Sequence, residues 1–332
     1  MKRSPYLLIN FSLLAAALLL YAGCGKGKQK VYRVGIVSGI DAFASTAESF
    51  KAKMTELGYT EGKDIVYDIQ NLHEDAKGEN RVVAKFAADK VDLIVSWPTR
   101  AALAAKAAGE KAGIPVIFAN ASVEGNNLVE SMSRPGGNIT GVRFPSSELA
   151  VKRLEFLHEL APRANRIYIT WDKNYPGISF TVQALHRAAP SMNITLVEAP
   201  VSSLGDIRAD LGSRDSPRGT GIDAVLIMPT MLTVSPEGFG VINDFASRHN
   251  LAVAGSTSDN AVRGAIFSYM PQNSDFGAPA ALLADKILKG TPAGTIPVVS
   301  PESRLTINYK AIIKLGLKAG EGFLSMADEI IR

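Results

Sequence analysis

Val91-Asp-Leu-Ile-Val-Ser-Trp-Pro-Thr99 and Ile222-Asp-Ala-Val-Leu-Ile-Met-Pro-Thr230 align without a gap, at a constant offset of 131 residues. Each is an aliphatic strand that runs into a Pro-Thr turn. After each, a helical stretch leads to a further strand, Ile114-Pro-Val-Ile-Phe-Ala119 in one copy and Leu251-Ala-Val-Ala-Gly255 in the other. The chain therefore reads as two copies of one α/β unit. The competing explanation is the generic similarity of aliphatic runs.

Outward from this pair, short β-branched runs alternate with Ala-rich helical stretches, the pattern of parallel sheets covered by helices on both faces. Strands are expected over 32–38, 64–69, 91–96, 115–119, 166–170, 194–198, 223–228, 251–255 and 265–269. Helices are expected over 45–57, 79–88, 99–112, 147–160, 179–189, 236–249 and 273–288. Most strands are apolar throughout, as burial on both faces requires.

Length and composition narrow the function classes. At 332 residues with 46% hydrophobic content, the chain fills two ordinary domains. Lys and Arg total 36 against 32 Asp and Glu, without runs of five like charges, so no nucleic-acid surface is expected. One Cys excludes an intrachain disulfide, and four scattered His never reach metal-motif spacing, so neither a metal nor a cofactor is expected. There is no GxGxxG after the first strand, no Walker loop, no GxSxG elbow and no HExxH. His158 and His186 fall inside helical patterns, where surface or packing roles explain them.

The N-terminus carries an address. Lys2 and Arg3 precede an apolar stretch from Tyr6 to Ala22, followed by Gly23, Cys24 and a polar segment, the layout of an export signal. The stretch is also about as long as a short membrane span, which leaves a retained anchor helix as an alternative. The only Cys follows small Ala22 and Gly23, and there the sequence resembles a bacterial lipobox, with Tyr21 where that motif usually carries Leu. Resemblance implies a lipid-anchored Cys24 behind a signal peptide over 1–23, with a linker over 24–30.

Gly58-Tyr-Thr-Glu-Gly-Lys-Asp64, Lys90-Val-Asp-Leu-Ile-Val95, Ile114-Pro-Val-Ile-Phe118, Arg134-Pro-Gly-Gly-Asn-Ile-Thr-Gly141 and Ile287-Leu-Lys-Gly290 carry a wider resemblance. From about Tyr32 to about Leu317 the chain is similar to the ABC-transporter substrate-binding protein family, some of whose members bind aromatic amino acids. The resemblance implies a type I periplasmic binding protein fold: α/β, with two Rossmann-like lobes of parallel sheet joined by three crossing segments. It further implies a small-molecule ligand, an ABC permease as partner, and an extracytoplasmic location. The expected lobes are 31–141 plus 266–297 and 145–265 plus 298–332, in a monomer without catalysis of its own. The sequence departs from the family pattern at Asn120-Ala-Ser-Val-Glu-Gly125, where Asp-Pro is familiar, and at Pro229-Thr-Met-Leu-Thr233.

Open parallel sheets bind ligands beyond the carboxyl ends of their strands. On that rule the first lobe offers Ser38, Asp41, Ser96, Trp97, Thr99, Asn120 and Ser122, and the second Trp171, Asp172, Asn174, Tyr175, Thr230, Ser256 and Thr257. Trp97 and Trp171 each end a strand, in opposite lobes, and are expected to face each other across the cleft around a planar or apolar ligand. Packing of each Trp under its own lobe is the competing reading. For the Ser, Thr and Asp residues the competitor is helix capping. Three rival functions remain on this fold: a ligand-presenting sensor for a receptor kinase, a secreted enzyme, and a ligand-responsive regulator. The last lacks a DNA-reading segment before Tyr32.

Overall fold

The computed structural model describes residues 30–39, 43–72 and 76–332. The leader, Cys24 and Asp41 lie outside the described residues. The chain builds two helix-covered sheets. The first holds β1 (Tyr32–Ser38), β2 (Ile65–Asn71), β3 (Leu93–Trp97), β4 (Val116–Ala121) and β5 (Ile139–Arg143), all parallel, in the order β2-β1-β3-β4-β5. The second holds β6 (Arg166–Asp172), β7 (Thr195–Val201), β8 (Ala224–Ile227), β9 (Ala252–Gly255), β10 (Phe267–Met270), β11 (Arg304–Asn308) and β12 (Glu329–Ile331). Its order is β12-β11-β10-β9-β8-β6-β7, with β10 and β11 antiparallel and every other pair parallel.

The two copies of the sequence echo are β3 and β8, and the Asp ahead of each has one task. Asp92 donates its amide to the Arg33 carbonyl (2.7 Å) and accepts the Arg33 amide on its carboxylate (2.8 Å). Asp223 does the same to Arg166, at 2.8 Å in both directions, and also accepts the Asn165 amide at 3.1 Å. Asp328, ahead of β12, repeats the arrangement on Leu305 (2.9 and 2.8 Å). Each Asp thus fixes where its strand begins against its neighbour.

Strand alternation sorts the side chains onto two faces. In the first sheet Val34, Ile36, Leu93, Val95 and Trp97 pack with α1 (Ala44–Glu56) and, further along, α10 (Gly277–Leu288). Val37, Ile94, Val116 and Phe118 face α2 (Ala76–Ala88) and α3 (Thr99–Ala112). In the second sheet Ile167, Ile169 and Trp171 lie with α4 (Ser146–Leu160) and α5 (Ile178–Ala188), while Tyr168, Val225 and Ile227 lie with α6 (Leu204–Arg214) and α8 (Pro236–Arg248), which follows the single turn α7 (Met231–Val234). The remaining short helices are α9 (Ser258–Val262), α11 (Tyr309–Lys314) and α12 (Glu321–Ser325). Gly277 allows α10 to lie against α1, because a Cβ there would meet the Thr46 carbonyl oxygen at 2.3 Å.

The chain passes between the sheets three times: after β5 at Phe144 and Pro145, after β10 at Pro271 and Gln272, and before β11 at 300–303. This moves two expected boundaries. Residues 266–270 belong to the second sheet, because β10 hydrogen-bonds between β9 and β11. Val298 and Val299 belong to the edge of the first, since Val298 donates to the Met132 carbonyl and Val299 bridges Val142.

Asp223 allows a pH test of strand registration. Hydrogen bonds from the Arg166 side chain and from the backbone amides of Arg166 and Asn165 hold its carboxyl below the ordinary value. A depressed carboxylate contributes stability that is fully present above its unfolded pKa, near 3.9, and is lost as pH falls through the folded value. Asp223→Asn should therefore be less stable than the parent at pH 6 in urea unfolding, and the gap between them should narrow below about pH 4. A pH-independent gap would contradict the role given to the charge.

Candidate functional site

The carboxyl ends of both sets of parallel strands meet at one seam, and the expected site residues there divide by task. Trp97 is wholly buried, and its indole N–H donates to the Ser38 hydroxyl at 2.9 Å, tying β3 to β1. Trp171 is 7% exposed within the core of the second sheet. Neither lines the two cavities found at the seam. The expected aromatic sandwich is therefore replaced by two core residues, for a reason that strand periodicity supplies. Leu93, Val95 and Trp97 form one inward row, and Ile167, Ile169 and Trp171 form another.

Ser96 is likewise internal, donating to the Ile117 carbonyl at 3.4 Å. Thr99 accepts the Ser122 amide at 3.1 Å, and the Ser122 hydroxyl reaches Ser146 at 3.5 Å. Ser146 in turn receives the Thr181 hydroxyl at 3.1 Å, so a buried row of hydroxyls runs from the first lobe into the second. Beside it lies a void of about 10 Å³ lined by Ser122, Ser146, Tyr175 and Thr181 among others, which is room for about one water. Burial raises the Tyr175 phenol above its ordinary pKa.

Asn120, held at φ +49°, donates to the Asn273 side chain at 3.2 Å. In the second lobe, helix and turn caps account for several polar groups. Asp172 accepts the Asn174 amide at 2.9 Å. Thr230 bonds Thr233 at 3.0 Å. Asn260 receives both Ser256 and Thr257 amides, at 3.1 and 3.2 Å. Thr257 also lines the larger cavity.

That cavity measures about 400 Å³. The first lobe contributes Ser45 near the start of α1, with Asn273 and Ser274, while the second contributes Thr257, Ser258, Ser268 and Thr306. Pro271 and Gln272 come from the second crossing, with Met270 at the end of β10 and Arg304 at the start of β11 beside the crossings. Apart from Thr257, none of these was expected. The rule that ligands sit after strand ends does not reach them: β11 runs antiparallel, so its beginning, Arg304 to Thr306, is what arrives at the seam.

Two arginines brace the crossings. Arg143, at the end of β5, donates to Glu124 (3.1 Å), to Glu148 on α4 (2.6 Å) and to Ser300 in the third crossing (2.8 Å). Arg304 grips Asp275 through Nε (3.1 Å) and Nη2 (2.8 Å). A third arginine, Arg153, is completely buried on α4. Its Nη1 donates to the Tyr269 carbonyl at 3.2 Å, its Nε and Nη2 have no partner among the described residues, and burial lowers its pKa to about 10. It ties α4 to the last residues before the second crossing.

Since Trp97 belongs to the core, Trp97→Ala should destabilise the protein by about 3–5 kcal/mol in denaturant unfolding, the usual cost of truncating a buried aromatic. A loss below about 1 kcal/mol would place the side chain at a surface instead.

The family described as ABC transporter substrate binding protein matches residues 31–331. A protein named tyrosine-binding protein, from Clostridioides difficile, is 28% identical over 274 residues, covering 82% of this chain and 76% of that one. Among solved structures, an ABC domain from Streptococcus pneumonia in complex with L-Trp superposes with a TM-score of 0.78 at 21% identity, covering 91% of this chain and all of the other. The ligand-free, open structure of a substrate binding protein with adhesive properties from Clostridium difficile gives 0.72 at 23% identity, covering 90% and 98%. The fold is shared with these solute-binding proteins, and the match along nearly the whole described chain shows that it belongs to the ABC transporter substrate-binding protein family.

Proposed function

We propose that this protein is the extracytoplasmic receptor of an ABC importer, that it holds a small amino-acid-like or aromatic molecule between its lobes, and that it performs no chemistry of its own. The observation that carries this reading is the cavity of about 400 Å³ at the carboxyl edge of both sheets, lined from both lobes and from the crossings between them. Its size is that of a small-molecule site. Hydroxyl and amide groups line most of it, suiting a ligand with several polar atoms, and Met270 offers an apolar surface. The relatives named for tyrosine and complexed with L-Trp support an amino acid as the ligand class. Three narrow crossings are a natural hinge, and a ligand bound to both lobes favours their approach.

Thermal unfolding of the purified protein with each common amino acid in turn tests the reading. At a concentration one hundred times its Kd, a true ligand adds about 2.7 kcal/mol of stability, a shift of several degrees. We expect at least one aromatic amino acid to do so. Failure of every amino acid to move the transition would remove this ligand class.

The lone Cys behind an apolar leader supports a lipid anchor at Cys24, whose diacylated or triacylated form would carry the several acyl chains that stable attachment needs. Cys24→Ala should accumulate as unprocessed precursor without lipid label. Normal processing and membrane association of the variant would contradict the anchor.

A further inference from the structure

Among the described residues lining the larger cavity, Arg304 is the one ionisable side chain. The others are Ser, Thr, Asn, Gln, Met and Pro, a lining that by itself would accept a polyol as readily as an amino acid. Its guanidinium is held in a fixed pose. Asp275 takes the Nε and Nη2 positions, at 3.1 and 2.8 Å, and is itself held by the Gln272 amide at 2.9 Å. The remaining nitrogen, Nη1, makes no hydrogen bond to a described residue, on a side chain that borders the cavity and is half exposed to solvent.

We propose that Arg304 is the carboxylate anchor of the cleft, its Nη1 edge receiving the acid group of the ligand while Asp275 holds the guanidinium in place. The inference rests on the amino-acid reading above and refines it. A planar guanidinium offers five N–H donors in fixed directions, so a carboxylate on Nε and Nη2 leaves the Nη1 hydrogens for a second acceptor. Because Asp275 already orients the group, little rotamer freedom remains to be lost when a ligand binds. Ser268 and Thr306, neighbours across the β10–β11 pair, line the same cavity and supply hydroxyls beside the anchor. A ligand bearing only an ammonium would instead find at Nη1 only further donors and no acceptor. Arg304 thereby separates amino acids from their decarboxylated amines and from uncharged polyols.

Calorimetric titration of the full-length protein tests this with L-tyrosine and tyramine, L-tryptophan and tryptamine, and myo-inositol. The parent should bind one of the acids at least tenfold more tightly than its amine, and myo-inositol more weakly still. Arg304→Gln should bring the acid-to-amine ratio close to one, and Arg304→Lys should restore part of it. Asp275→Asn frees the guanidinium but keeps its charge, so it should lower acid affinity less than Arg304→Gln does and leave the acid still preferred over the amine. This control separates recognition from a loosened crossing. An Arg304→Gln protein that keeps the parent's ratio overturns the proposal and leaves the amino-acid reading standing. If the parent binds neither amino acid, that reading falls, and the anchor with it.

Discussion

An Asp placed one residue ahead of a strand, holding its neighbour by backbone amide and carboxylate together, sets the level of this molecule. Asp92, Asp223 and Asp328 each do this, on Arg33, Arg166 and Leu305. In a parallel sheet, a slip of one residue moves every side chain to the opposite face. Fixing the beginnings of β1 and β3, and of β6 and β8, therefore also fixes where those strands end. Their ends are the walls of the seam. Trp97 and Ser38 stop opposite each other in register, and β8 ends at Ile227 opposite Thr170, just before β6 ends at Asp172, so the turns that follow arrive at a common edge. The three crossings join the two edges, and the cavity lies beside two of them.

Much of the fold was legible because its signal is local. The echo of Val91–Thr99 in Ile222–Thr230 marks two equivalent strands, and the Asp at its second position is the registering residue itself. Three strands were not recognised. Ile139–Arg143 is embedded in a Gly- and Pro-punctuated stretch that reads as a connection. Arg304–Asn308 and Glu329–Ile331 are short and mixed in polarity, as suits their place at one end of the second sheet. The helix Leu204–Arg214 carries Gly205 and Gly212, which weaken its propensity, and a capping box from Ser203 and Asp206 starts it.

The site was less legible because it depends on which elements meet. Reading both Trp as strand-end ligands overlooked that each is the last member of an inward alternating row, a pattern present in Leu93-Ile-Val-Ser-Trp97 and in Ile167-Tyr-Ile-Thr-Trp171. Arg143 and Arg304 carry no sequence signature for bracing a crossing. Their partners Glu124, Glu148, Ser300 and Asp275 lie between 5 and 157 residues away along the chain. The antiparallel return of β11 is a topological fact, and it alone brings Arg304 and Thr306 to the edge where the parallel strands end.

The proposed ligand site lies between the lobes, against the crossings. A crystal structure of the protein with a bound amino acid locates that ligand directly. Density in contact with Ser45 from the first lobe, Thr257 from the second and Arg304 beside the third crossing is the predicted result. Density confined to one lobe, or placed away from all three residues, would contradict it.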